Sequence, residues 1–254
     1  MRATALILGL ATAAALCAQS TPPDFSGVYY PVNPFGNFRG GPNAGARLEG
    51  PPPRPTASAP LADGSTGRRP DEPSLQPEYM AKWQAISKTL IAGSSEYDPI
   101  ARCLPPGMPA MMSMFYGMEV MQNKDKITFF SELNDALRRI YLDGRKPSQK
   151  VLDDPTYAGY STGHWESDTL VVDTVALRDD TFIEGFTPHS DAMTVHERIR
   201  LKEPGLLEDI ITVTDPKALT KPWETVKTYR KAKPGSGTDE LREFACAEGT
   251  SEVK

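Results

Sequence analysis

The sequence predicts an all-β protein whose antiparallel strands follow one another along the chain and close into a lipocalin-like barrel. From Tyr116 onward, short segments alternate apolar with polar residues or are rich in β-branched and aromatic residues. Clusters of Gly, Pro, Asn and Asp separate these segments at short intervals, which favours antiparallel neighbours. A long meander usually closes on itself, because closure removes its unpaired edges. A two-sheet β-sandwich is the alternative.

The pattern predicts one helix and ten strands. The helix covers residues 74–93, where Tyr79, Trp83, Ile86 and Leu90 fall on one apolar stripe suited to packing outside the barrel. The strands are expected at residues 24–32, 118–123, 127–133, 137–142, 162–166, 170–177, 193–201, 206–214, 223–232 and 241–247.

The N-terminus is typical of a secretory signal peptide. Arg2 precedes an apolar stretch at residues 5–16 that is too short to span a bilayer, and Ala18 suits cleavage. We therefore expect a periplasmic or secreted protein that loses residues 1–18. Residues 19–73 would form the first strand and a linker rich in proline and glycine, and residues 74–254 a single barrel domain with a leading helix.

Export to an oxidising compartment would allow the cysteines to form a disulfide. Removal of the signal peptide leaves Cys103 and Cys246, and an even pair in an oxidising compartment predicts a disulfide. A loop of this length corresponds to a stabilisation of about 4–5 kcal/mol in the chain-entropy model.

The charge balance excludes some partners. The chain carries 28 basic and 33 acidic residues, for a net charge of −5, and has no basic cluster. Nucleic acid and anionic membranes are therefore poor partners, and no later segment is long and apolar enough for membrane insertion as a helix.

The chain lacks a G-x-S-x-G nucleophile elbow, a P-loop and a dinucleotide fingerprint, so no cofactor is expected. Its oligomeric state is left open.

One glutamate lies on an apolar strand face. Residues 193–201 alternate as a strand does, and Glu197 falls in the middle of the apolar side. A buried carboxylate costs several kcal/mol unless something compensates it. Arg139 and Tyr141, which share a strand side with Leu137, are the expected inward-facing partners.

Three interpretations of this group remain open. Glu197 and Arg139 could form a structural ion pair inside a filled barrel of an envelope protein. Alternatively, desolvation makes Glu197 or Asp173 a general base, with Arg139 and Tyr141 stabilising charge and His189 as auxiliary acid; this is cofactor-independent lyase or isomerase chemistry. In the third interpretation the same groups orient a small apolar or aromatic ligand in a non-catalytic carrier. His189 could equally be a turn residue with a local hydrogen bond.

Further residues are expected to line the internal pocket, namely Glu132, Tyr116, Met114 and Trp165. The methionine-rich run at 108–118 could suggest copper, but methionine also packs adaptably around apolar ligands, and no histidine adjoins the run. The histidines lack the H-x-x-x-H or H-E-x-x-H spacing of zinc sites, so no metal is expected.

Several motifs occur together: RCLPPGMP at 102–109, RRIYLDGR at 138–145, GHWESDTLVVDT at 163–174, PHS at 188–190 and HER at 196–198, with FACAE at 244–248. Their combination resembles a family of uncharacterised secreted bacterial proteins over about residues 76–248. The resemblance implies a compact exported domain in which both cysteines recur, and it implies no particular reaction. Relatives usually carry Arg and Gly at the positions of His164 and Ser167. The pair Gly163 and Trp165 is also similar to the Gly-x-Trp motif of lipocalin-like barrels.

Overall fold

The computed structural model describes residues 21–32, 71–244 and 246. In this part of the chain nine strands form one closed barrel in sequential order, and the last strand pairs with the first. The lipocalin-like barrel is therefore confirmed, and the sandwich is excluded. The strands are β1 (Gly27–Pro31), β2 (Met118–Gln122), β3 (Lys126–Ser131), β4 (Leu137–Tyr141), β5 (Tyr160–Glu166), β6 (Thr169–Val175), β7 (Thr194–Glu203), β8 (Leu206–Thr214) and β9 (Trp223–Lys231). The helices are α1 (Pro77–Ile91) and α2 (Gln149–Leu152), with 3-10 turns at Ala110–Ser113 and Leu133–Asp135.

Two sequence predictions about the strands are wrong. β4 and β5 run parallel, whereas all other neighbours in the barrel are antiparallel. The segment 142–159 between them is long enough for the crossover that a parallel pair requires. The expected strand at 241–247 does not form in the described residues 241–244 and 246, because β9 already pairs with β1 and leaves no edge to extend.

The interior of the barrel is packed with side chains at both ends. Near the turn between β5 and β6, the Phe25 and Trp165 rings pack with centroids 5.1 Å apart. Met108 and Met112, both fully buried, fill the end where β5 begins, and the Met108 amide donates to the carbonyl of Tyr157. The methionine-rich segment therefore serves as core, which agrees with its adaptable packing.

Helix α1 packs its apolar stripe on the barrel, as the periodicity predicts. Tyr79, Trp83 and Ile86 are buried, and the Gln76 amide that precedes the helix donates to the Ala218 carbonyl. No helix of the described segments has the length and apolar character needed to cross a bilayer.

The disulfide between Cys103 and Cys246 is confirmed, with the two Cα atoms 5.7 Å apart. It ties the segment before the 3-10 turn at Ala110–Ser113, which we call the methionine-rich turn, to the C-terminal segment of the described chain. The predicted signal peptide at 1–18 and residues 33–70 of the predicted linker lie outside the described residues.

Candidate functional site

Glu197 on β7 faces the barrel interior, as its place on an apolar strand face predicts. Its partner is Arg138 on β4, and both side chains are fully buried. Arg138 Nη1 donates to Glu197 Oε1 at 2.8 Å, and Nη2 donates to Oε2. A guanidinium that contacts both carboxylate oxygens gives the geometry in which a buried ion pair best compensates for its desolvation.

Arg138 also bonds to the two strands that lie between β4 and β7 in the barrel. Its Nε donates to Ser161 Oγ on β5 at 3.3 Å, and its Nη2 donates to Thr174 Oγ1 on β6 at 3.2 Å. The two hydroxyl oxygens are themselves 2.7 Å apart. One side chain from β4 therefore bonds to β5, β6 and β7, and each of its three guanidinium nitrogens donates.

The placement of Arg139 and Tyr141 inside the barrel is wrong by one residue. Arg138 and Ile140 point inward, whereas Arg139 is exposed and Tyr141 is half-buried on the outer face. Either phase of β4 buries one arginine of the adjacent pair, so alternation around Leu137 could not select the correct one. In the fold, Ile140 shares the buried face with Arg138.

A second buried carboxylate, which the sequence analysis missed, lies beside Glu197. Asp209 on β8 is fully buried, and neither carboxyl oxygen has a hydrogen-bond partner among the described residues. Burial and the neighbouring Glu197 carboxylate raise the pKa of Asp209 well above its usual value, although Arg138 opposes the shift. The raised pKa favours the neutral form of the Asp209 carboxyl group beside Glu197.

The sequence held a signal for Asp209. Leu207, Asp209, Ile211 and Val213 alternate on one side of β8 and are all fully buried. This is the same pattern that identified Glu197 on β7, with a carboxylate on an apolar strand face. Applied to β8, the same argument would have predicted two interior carboxylates.

Asp173 lies in water, contrary to its expected role as a desolvated base. Its side chain is exposed on the outer wall, where it accepts a 2.8 Å hydrogen bond from His196 Nδ1. His196 itself faces outward, as strand alternation predicts. The Asp173 side chain therefore lacks the burial that the role of a desolvated base requires.

His189 is buried in the loop before β7 and makes local hydrogen bonds. Its Nδ1 donates to the Ser190 carbonyl at 2.9 Å, and its Nε2 lies 2.8 Å from Thr181 Oγ1. Burial lowers the pKa of His189 and favours the neutral ring. Next to it, Ser190 Oγ donates to Asp215 Oδ1 at 2.7 Å. These contacts fit the alternative in which His189 anchors a turn.

Of the other expected pocket residues, Trp165 lies apart from Tyr116 and Glu132, which are neighbours. Trp165 packs on Phe25 at one end of the barrel. Tyr116 makes an edge contact with Phe244 of the C-terminal segment, and the Glu132 oxygens accept from the backbone amides of Gly117 and Arg242. Burial raises the pKa of Glu132. Met114, two residues before Tyr116 in the sequence, is half-buried. The four residues do not converge on one internal cavity.

A cleft with a volume of about 380 Å³ lies on the outer face of the parallel pair, and we call it the tyrosine cleft. Tyr141 and Tyr160 stack across the two strands with their ring centroids 5.2 Å apart. Arg145 lies 4.2 Å from the centre of the Tyr141 ring, and Arg178 lies 4.8 Å from that of Tyr157. The lining residues are Pro105, Gly107, Met111, Asp135, Ala136, Leu137, Arg139, Tyr141, Thr156, Tyr157, Ala158, Gly159 and Tyr160.

Two glycines allow the walls of the tyrosine cleft to come close to their neighbours. Gly107 and Gly159 both have positive φ angles, which glycine adopts without strain. A Cβ on Gly107 would lie 2.8 Å from Thr181, and a Cβ on Gly159 would lie 2.7 Å from Leu177. The lining of this outer cleft includes Arg139 and Tyr141 and does not include Glu197.

The chain matches no protein-family model, and no curated protein is significantly similar to it.

Proposed function

We propose that this protein is an exported binding protein for a small aromatic organic molecule, which it holds in the tyrosine cleft. The observation that carries the proposal is the combination of three half-buried tyrosines and one exposed arginine in a single concave site. The volume of about 380 Å³ falls in the usual range of small-molecule sites, which is about 300–1,000 Å³. Aromatic rings favour offset or tilted stacking with other rings, and tyrosines supply this at little conformational cost.

Export is the second part of the proposal. It rests on the signal-like N-terminal sequence and is consistent with the disulfide between Cys103 and Cys246, since disulfides persist mainly in oxidising compartments. The resemblance to a family of secreted bacterial proteins agrees with it.

Binding outside the barrel has more support than acid–base chemistry inside it. Arg138 already engages both oxygens of Glu197, and Asp173 on the outer wall and His189 in the loop before β7 are held by other partners. A proton shuttle needs a substrate within hydrogen-bond reach, and the tyrosine cleft does not contain Glu197. We therefore propose a carrier or sensor, with turnover of a bound compound as a separate outcome to be measured.

Ligand binding can be tested by thermal shift and calorimetry with benzoate, cinnamate, 3-phenylpropionate and 1-naphthol. Specific binding to the folded state raises the melting temperature by mass action. Replacement Tyr141→Leu should weaken binding about 2- to 10-fold because it removes a ring contact worth about 0.5–1.5 kcal/mol. Tyr141→Phe keeps the ring and should bind nearly as the original chain does.

Val226→Ala is the matched control, because Val226 is an exposed side chain on β9 outside the cleft. If Tyr141→Leu does not change the affinity, the ligand binds at a site other than the tyrosine cleft. If no aromatic compound tested shifts the melting temperature, the proposal fails, and a filled barrel with a structural role in the envelope becomes the better interpretation.

A further inference from the structure

The tyrosine cleft contains two opposite charges that have no partner. Arg139 and Asp135 are both exposed and both line the cleft, and among the described residues neither side chain takes part in a hydrogen bond or an ion pair. The neighbouring arginines differ in this respect. Asp143 accepts from Arg145, and Asp180 accepts from Arg178.

The chain places these two charges on one side of the cleft. Asp135 ends the 3-10 turn before β4 and has a φ of 48°, a conformation that aspartate tolerates better than most residues. Arg139 follows on the outer face of β4, where Leu137 and Tyr141 flank it. The charges do not pair with each other, so both remain available to a ligand.

We infer that the ligand of the tyrosine cleft is a zwitterion with an aromatic ring, such as an aromatic amino acid. This inference rests on the proposed function and names its ligand class. The carboxylate would bind to Arg139, which suits planar two-point recognition. The ammonium group would bind to Asp135, and the ring would pack on Tyr141 and Tyr160.

Charge complementarity selects the zwitterion over simpler aromatic compounds. An aromatic anion gains from Arg139 but is repelled by Asp135, and an aromatic cation meets the reverse situation. Each charge lies in water, where one ion pair contributes up to about 1 kcal/mol, or roughly a fivefold change in affinity. The tyrosines retain all three classes of ligand, so the charges set selectivity more than overall binding.

Three probes that share a phenyl ring and a two-carbon chain test this directly. They are L-phenylalanine, which carries both charges, 3-phenylpropionate, which carries only the carboxylate, and 2-phenylethylamine, which carries only the ammonium group. Calorimetry on the full chain should rank L-phenylalanine as the tightest, by about fivefold over each of the others.

Two variants then separate the charges. Arg139→Gln should abolish the advantage of L-phenylalanine over 2-phenylethylamine, and Asp135→Asn should abolish its advantage over 3-phenylpropionate. Arg230→Gln is the matched control, since Arg230 is an exposed arginine on β9 that pairs with Glu203 outside the cleft.

The outcomes distinguish this inference from the proposed function. If 3-phenylpropionate or 2-phenylethylamine binds as tightly as L-phenylalanine, the zwitterion inference is overturned, while aromatic binding in the cleft stands. An advantage of L-phenylalanine that survives both Arg139→Gln and Asp135→Asn overturns it as well. If none of the three probes nor the four aromatic compounds binds, both proposals fail together.

Discussion

The wall formed by β6 to β9 and the junction between β4 and β5 hold the same barrel together in different ways. In the wall, antiparallel ladders are long, and β8 pairs with β9 from Leu206 to Val213. At the junction, pairing is parallel and consists of two residue pairs, Ile140 with Ser161 and Tyr141 with Thr162. Backbone hydrogen bonds therefore supply most of the cohesion of the wall and little of the cohesion at the junction.

Side chains supply at the junction what the backbone does not. Inside the barrel, Arg138 bonds across to Ser161, Thr174 and Glu197 on three successive strands. Outside it, the rings of Tyr141 and Tyr160 pack across the same two strands. At the junction, a buried network around Arg138 therefore joins strands whose ladder is short, and the tyrosine cleft lies on the outer face of the same two strands.

Removal of the Arg138 side chain should have the largest effect. Arg138→Met leaves Glu197 buried without its cation, and breaking a buried pair in this way costs about 3–5 kcal/mol. Urea denaturation measures the loss as a decrease in the free energy of unfolding. The double variant Arg138→Met with Glu197→Leu should recover part of this loss, because it removes the stranded carboxylate as well.

The adjacent arginine is the control for this experiment. Arg139→Gln alters an exposed side chain on the same strand and should change the free energy of unfolding by less than about 0.5 kcal/mol. If Arg138→Met unfolds the chain, Thr174→Val still tests the network, with an expected loss of about 1 kcal/mol. Equal losses for Arg138→Met and Arg139→Gln would contradict the assigned orientation of β4.

The buried Asp209 carboxyl group should make the free energy of unfolding depend on pH. Because its folded-state pKa is raised, the folded protein binds more protons than the unfolded chain above about pH 3.9. The stabilisation from Asp209 is fully present below that pH, and it is lost as pH rises toward the folded-state pKa. Asp209→Asn mimics the protonated carboxyl group, so the variant should lack this loss.

The contribution of Asp209 appears as the difference between the two proteins. Free energies of unfolding measured between pH 4.5 and 8 should show the stability of the original chain, relative to Asp209→Asn, falling as pH rises. Asp125→Asn, at an exposed turn between β2 and β3, should leave the pH profile unchanged. Parallel profiles for the original chain and Asp209→Asn would mean that Asp209 is ionised in the fold.

The sequence predicted the wall better than the junction, and the reason is physical. On β7, strict alternation around Glu197 assigns each side chain to a face, because one face packs in the core and the other lies in water. On β4, two adjacent arginines carry the same charge, and alternation alone cannot choose between them. The choice depends on Glu197, which is 59 residues away along the chain.

The tyrosine cleft could not be predicted from local pattern at all. Tyr141 lies on β4, Tyr157 and Tyr160 lie around the start of β5, and Gly107 belongs to the segment before the methionine-rich turn. They meet because β4 and β5 run parallel, and the short connections elsewhere in the chain had favoured antiparallel neighbours throughout. An early sign was the length of the segment 142–159, which exceeds that of a hairpin loop.

The smallest effect is expected on the outer wall. Arg198 on β7 donates to Glu166 on β5 at 2.9 Å, and both side chains are about half exposed. Arg198→Gln should lower the free energy of unfolding by about 0.2–1 kcal/mol, and added salt should reduce the difference because it screens exposed charges. Urea denaturation at low and high salt measures this. A decrease in the free energy of unfolding above about 2 kcal/mol would contradict the comparison. It would mean that side-chain contacts stabilise the wall as strongly as they stabilise the junction, because the backbone ladder between β6 and β7 remains intact in this variant.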